Sequence, residues 1–86
     1  MSTMGSRLKY ARLLRKYTQV QLANAVGVSR GVITNIEGGL IKKPKMVFIV
    51  AISSVLNINS VWLISGEGSS GLEEEAVMTK TKSKDC

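Results

Sequence analysis

The sequence predicts an all-α fold: a compact domain of five helices, the second and third joined as a helix-turn-helix. Three observations carry this. Within residues 18–37, two apolar stripes at helical spacing are separated by Gly27, Val28 and Ser29 alone, too little chain for an ordinary loop. Ala23 and Gly27 put small residues where two helices must cross closely and the backbone must turn sharply. Downstream, Pro44 and Asn59 open two more helical stretches, residues 45–56 and 60–64, with no repeat among them.

The first helix starts near Thr3 or Met4 and runs to about Tyr17. It places Leu8, Ala11 and Leu14 inside and Lys9, Arg15 and Lys16 outside. Thr18 is a good N-cap and Gln21 follows three residues on, so a capping box opens the second helix and satisfies two orphan amide protons. Leu22, Ala23 and Val26 share its inner face. Gly27 takes positive φ at no steric cost and ends it, Val28 tucks inward, and Ser29 caps the third helix at once. That helix, residues 30–37, keeps Ile33 and Ile36 inside and turns Ser29, Arg30, Gly31, Thr34 and Asn35 outward; Gly38 and Gly39 end it.

A basic connection, residues 40–45, leads to the fourth helix, with Pro44 in its first turn. Ile49, Ile52, Val55 and Leu56 form its inner stripe, and Val47, Val50 and Ala51 add a second. A helix apolar all round is normally buried all round, so the fifth helix or another subunit must cover it. Asn59 caps the short fifth helix, which carries Trp62 as a core residue. From Gly66 the composition shifts to Gly-Glu-Gly-Ser-Ser-Gly, a linker; the expected division is a domain of residues 1–66 and a flexible tail of residues 67–86, whose one apolar patch is Ala76-Val77-Met78.

Charge points to a class of partner. Formal net charge is +6, and it is unevenly placed: residues 1–68 hold nine Lys and Arg against Glu37 and Glu67, which is +7, while residues 69–86 hold three Lys against four acids, which is −1. A basic folded part favours a polyanion and speeds encounter with it. On the outward side of the third helix, Arg30 can contact guanine and Asn35 adenine through two hydrogen bonds each, with Thr34 between them. Arg30 also suits a phosphate. Gly31 either lets the backbone come close to a groove wall or reads nothing, since glycine weakens a short helix by roughly 0.5 to 1 kcal/mol.

No catalytic set can be assembled. There is no His, no glycine-rich phosphate loop with its lysine, and no carboxylate pairing beyond Glu73 to Glu75, which reads as solvated. The single Cys86 cannot form an internal disulfide and, without His, anchors no zinc site. No enzyme activity, cofactor, metal or small-molecule ligand is expected. No apolar run is long enough to cross a bilayer and no signal peptide opens the chain, so the expected location is the cytoplasm.

The run Thr18-Gln-Val-Gln-Leu-Ala-Asn-Ala-Val-Gly27-Val-Ser29-Arg-Gly-Val-Ile-Thr-Asn-Ile-Glu37 resembles the helix-turn-helix of the lambdoid phage repressor and Cro family, small DNA-binding domains of bacteria and phages. The resemblance extends over residues 4–68: Gly5-Ser-Arg7-Leu8 through Arg12 looks like the family's first helix, and Asn59-Ser-Val-Trp62-Leu63-Ile-Ser-Gly66 like its fifth. It implies binding to double-stranded operator DNA as a homodimer, the third helix in the major groove and half-sites about one helical turn apart. It also implies roles for single residues. Gln19 and Ser29 bond phosphates, helped by the helix N-termini, as do Lys42, Lys43 and Lys45 of the connection. Arg12 pairs with Glu37 at the end of the recognition helix. Leu40, Val47, Val50, Leu63 and Ile64 are candidates for the subunit contact. One departure is Lys16, where the family usually has glycine; a lysine at positive φ carries roughly 1 kcal/mol of strain or more, so this turn is expected to be built differently.

The function expected is that of a Cro-like or short repressor-type transcriptional regulator, since a chain of this length has no room for the second domain of self-cleaving repressors. An antitoxin or restriction-modification controller would share the fold. A helical protein-interaction module, its apolar fourth helix docking a partner and its charge incidental, is the reading from another class.

Overall fold

Threonine or asparagine side chains start three of the five helices. In a computed structural model that describes residues 3–72, α1 (Met4–Leu14) begins where the Thr3 hydroxyl accepts from the Ser6 amide at 3.0 Å. It stops at Leu14, three residues short of the expected end, because Lys16 adopts φ 64° and turns the chain. Lysine therefore takes the left-handed conformation itself, and the expectation of a differently built turn does not hold: the Tyr17 amide closes back on the Arg12 carbonyl at 3.0 Å.

Both halves of the expected capping box are present at the start of α2 (Gln19–Val26), and Gly27, at φ 90°, ends it. The third helix, α3 (Arg30–Glu37), has Ser29 at its N-cap position, but the serine side chain makes no capping hydrogen bond, so the expected cap is positional only. In α4 (Met46–Leu56) Lys45 is the N-cap and Pro44 precedes it, rather than lying in the first turn. Asn59 accepts from the Val61 amide at 2.8 Å to start α5 (Ser60–Ser65), and Gly66, at φ 80°, closes it.

The core joins Leu8 and Ala11 of α1, Leu22 and Ala23 of α2, Ile33 and Ile36 of α3, Ile49, Ile52 and Leu56 of α4, and Ile58, Trp62 and Leu63. Two expectations about α1 fail. Leu14 is 50% exposed rather than inside, and Arg15 is half-buried rather than outside. The helix holds its neighbours through three arginines. Buried Arg7 donates to the Leu63 and Ile64 carbonyls at 2.9 and 2.8 Å, at the end of α5. Arg15 donates to the Leu56 and Asn57 carbonyls at 2.8 and 3.1 Å, at the end of α4. Arg12 reaches the end of α3, as described below. Each cation meets the carbonyl or acidic end of a helix, where the dipole favours it.

Gly5 fixes how closely α1 approaches α3. A Cβ there would lie 2.5 Å from the Ile36 carbonyl oxygen and 2.6 Å from that of Glu37, which no side chain tolerates. The stretch after Gly66, expected as a linker, also packs: the Asn59 amide donates to the Ser70 carbonyl at 2.8 Å, Ser70 is buried, and Leu72 rests on the core. The remainder of the expected tail, with Cys86 and the Ala76-Val77-Met78 patch, lies outside the described residues. Among the described residues, no helix is long and apolar enough to cross a membrane.

Candidate nucleic-acid interface

One side chain of α2 organises the outward side of α3. Gln19 uses its amide in two directions: Nε2 donates to Glu37 Oε1 at 3.1 Å, while Oε1 accepts from Thr34 Oγ1 at 3.1 Å and lies 3.4 Å from Arg30 Nε. Arg30 and Thr34 stand one turn apart on α3, so a single acceptor on α2 serves both. Behind Gln19 lies an ion pair. Arg12 Nε meets Glu37 Oε2 at 2.6 Å and Arg12 Nη2 meets Glu37 Oε1 at 3.1 Å, with the side chains 8% and 5% exposed. The remaining guanidinium nitrogen, Nη1, donates to the Tyr17 carbonyl at 2.8 Å. A continuous set of polar contacts thus runs from α1 through Glu37 and Gln19 to the surface of α3.

The expected site residues divide by position. Arg30, Gly31 and Thr34 are exposed on α3, while Asn35 is half-buried. Ser29 is exposed at the N-terminus of the helix, with its hydroxyl uncommitted to capping. At Gly31 a Cβ would meet only the Ser29 hydroxyl at 3.7 Å, so the position is open and needs no glycine for space. Lys42, Lys43 and Lys45 lie exposed on the α3–α4 connection, apart from the Gln19 set.

Among the expected subunit contacts, Leu40, Val47, Val50 and Ile64 are exposed, at 80%, 66%, 54% and 41%. Leu63 is a correction: it is 1% exposed, packed in the core by the inner face of α5, and has no surface to offer a second subunit. Met46 and Val61, which the sequence reading passed over, are also exposed apolar side chains.

Three of the nine basic residues in residues 1–68, Arg7, Arg12 and Arg15, are spent on the ends of other helices. The six left, Lys9, Lys16, Arg30, Lys42, Lys43 and Lys45, are exposed, and among the described residues the one exposed acid is Glu67. The field of the described residues at the surface is therefore almost wholly positive, because their other acid, Glu37, is matched by Arg12. Sequence reasoning missed Gln19 as a junction, and Arg7 and Arg15 as caps. A signal existed for Arg15, which stands seven residues after Leu8 and so on the same face.

Comparison with known proteins finds relatives in both sequence and fold. A regulator of the conjugative element R391 from Providencia rettgeri, described as an HTH-type transcriptional regulator, is 33% identical over 72 residues, which is 84% of this chain and 33% of the relative. The chain thus spans about a third of the length of the curated relatives it matches. Among solved structures, SinR of Bacillus subtilis in complex with DNA superposes with a TM-score of 0.71 at 28% identity, covering 73% of this chain and 100% of that one. The P22 c2 repressor in complex with a synthetic operator gives 0.71 at 27% identity, covering 78% and 100%. A family model described as helix-turn-helix matches residues 8–63, the span from the first core leucine to the last, and this chain belongs to that family.

Proposed function

We propose that this protein is a sequence-specific double-stranded DNA-binding transcriptional regulator, Cro-like or of the short phage-repressor kind. In this reading it acts in the cytoplasm as a homodimer, with α3 of each subunit in the major groove. The observation that carries the proposal is the exposed row Arg30, Gly31 and Thr34 on a helix whose inner side is fixed by Ile33 and Ile36 and whose outer side is held by Gln19. The SinR and P22 c2 structures, both complexes with DNA, support it.

In this reading Arg30 and Asn35 touch base edges, with Thr34 and Gly31 against the groove. Gln19 and Ser29, at the N-termini of α2 and α3, meet phosphates, and Lys42, Lys43 and Lys45 hold the backbone beside them. Arg12 and Glu37 set the angle at which α3 is presented. Leu40, Val47, Val50 and Ile64 supply the apolar contact between subunits.

The test is a binding series on the preferred duplex, selected from a random pool, and on a scrambled duplex at several salt concentrations. Arg30→Ala is expected to lose roughly 10- to 100-fold on the preferred duplex and little on the scrambled one, as for one lost bidentate base contact. Lys43→Ala is expected to weaken both alike and to reduce the salt slope by about 1. Equal losses on both duplexes for Arg30→Ala would refute its base-reading role, and no duplex binding at low salt would refute the function.

A further inference from the structure

We propose that the outward face of α1, formed by Tyr10, Leu13 and Leu14, is the docking surface for residues 73–78 of the same chain, Glu-Glu-Glu-Ala-Val-Met. This face is the apolar surface that the described fold leaves open on the side of α1 away from the core. Tyr10, Leu13 and Leu14 are 44%, 56% and 50% exposed and stand at i, i+3 and i+4, a single helical stripe. The DNA-binding reading gives none of the three a role.

Two observations select the occupant. The first is where the described chain leads. Arg15, at the end of α1, bonds the Asn57 carbonyl at 3.1 Å, and a Cβ on Gly71 would lie 3.5 Å from that same oxygen. Ser70 is tied to Asn59 and Leu72 rests on the core, so the described chain ends near the C-terminal end of α1. Six extended residues reach about 20 Å, whereas Tyr10 and Leu14 lie about 6 Å apart along the helix. The segment therefore has ample length to run back along α1.

The second is the order of its chemistry. Glu73, Glu74 and Glu75 come first and meet exposed Lys16; Ala76, Val77 and Met78 follow and reach Leu14, Leu13 and Tyr10, with Lys9 beyond. Acid lies opposite base and apolar opposite apolar in one antiparallel register. The exposed apolar face of Val47 and Val50 on α4 does not match: its cations, Lys42, Lys43 and Lys45, lie at the far end of the helix, so the acidic triplet would arrive where they are not.

The test uses the full chain in solution by nuclear magnetic resonance, with Val77→Asp and Glu74→Lys as variants; the dispersion of the core methyl signals reports folding directly. Through-space contacts are expected from the Val77 and Met78 methyls to the Tyr10 ring and to the Leu13 and Leu14 methyls. They should be lost in Val77→Asp, weakened in Glu74→Lys, and unchanged on tenfold dilution. Absence of these contacts in the parent chain would overturn the proposal. So would contacts to Val47 or Val50 in their place, or contacts that vanish on dilution, which would assign the segment to a second copy.

Discussion

Replacing Glu37 tests the arrangement behind α3 most severely. The Glu37 carboxylate is 5% exposed, holds Arg12 through two contacts at 2.6 and 3.1 Å, and takes a third hydrogen bond from Gln19 at 3.1 Å. In Glu37→Ala the Arg12 guanidinium, itself 8% exposed, keeps only the Tyr17 carbonyl at 2.8 Å. Stranding a buried charge in this way costs about 3 to 5 kcal/mol, against less than about 1 kcal/mol for an exposed pair. A fold of this size has about 4 to 10 kcal/mol in total at roughly 0.05 to 0.15 kcal/mol per residue, so the loss is a large fraction of it. The assay is urea unfolding followed by the fluorescence of Trp62, the one tryptophan, which is 8% exposed in the native state. Arg12→Met should lose a comparable amount, and the double variant Arg12→Met with Glu37→Leu much less than the sum, because no charge is then left unpaired. Single losses below about 1 kcal/mol, or losses that simply add, would refute the reasoning.

Three further substitutions have signs set by the structure. Lys16→Gly should raise stability by about 1 kcal/mol, since glycine adopts the φ of 64° without the strain a lysine bears, as read from the urea midpoint. Gly5→Ala should lower stability by at least about 2 kcal/mol or prevent folding, because the new methyl would sit 2.5 Å from a backbone oxygen that cannot move alone; circular dichroism on heating reads it. Ser53→Ala should be neutral to stabilising by about 1 kcal/mol, because the buried Ser53 hydroxyl has no hydrogen-bond partner, and thermal unfolding would show a midpoint raised by a few degrees.

What could be read from the sequence was chemistry settled within a few residues. The Thr18 and Gln21 capping box, Gly27 at positive φ and Asn59 at an N-cap all depend on neighbours at most three positions away, and all are found. Leu14 was misplaced for a geometric reason. Steps of three residues fall about 60° short of a full turn, so Leu14 lies roughly 120° round from Leu8, off the inner stripe, whereas Arg15, seven residues from Leu8, falls almost on it. The arginine contacts were unreadable for a different reason: Arg7 and Arg15 bond carbonyls 41 to 57 residues away, and nothing local in a backbone carbonyl announces a distant donor. Leu63 and Ile64 are adjacent on a helix of six residues, too short for periodicity to decide which faces in; one is core and the other 41% exposed. At the candidate site, residue types named the exposed groups of α3, but the Gln19 junction depends on how two helices meet and had no sequence signature.

The grip of α1 on the ends of α3, α4 and α5 has a consequence for how the molecule opens. Loosening that first rod would fray three remote termini in the same event, so no partial opening at this end leaves α3 and its support intact. In the proposed reading, engagement of a duplex is thereby tied to a single cooperative transition, and a lesion anywhere along the first rod should register at α3 as well.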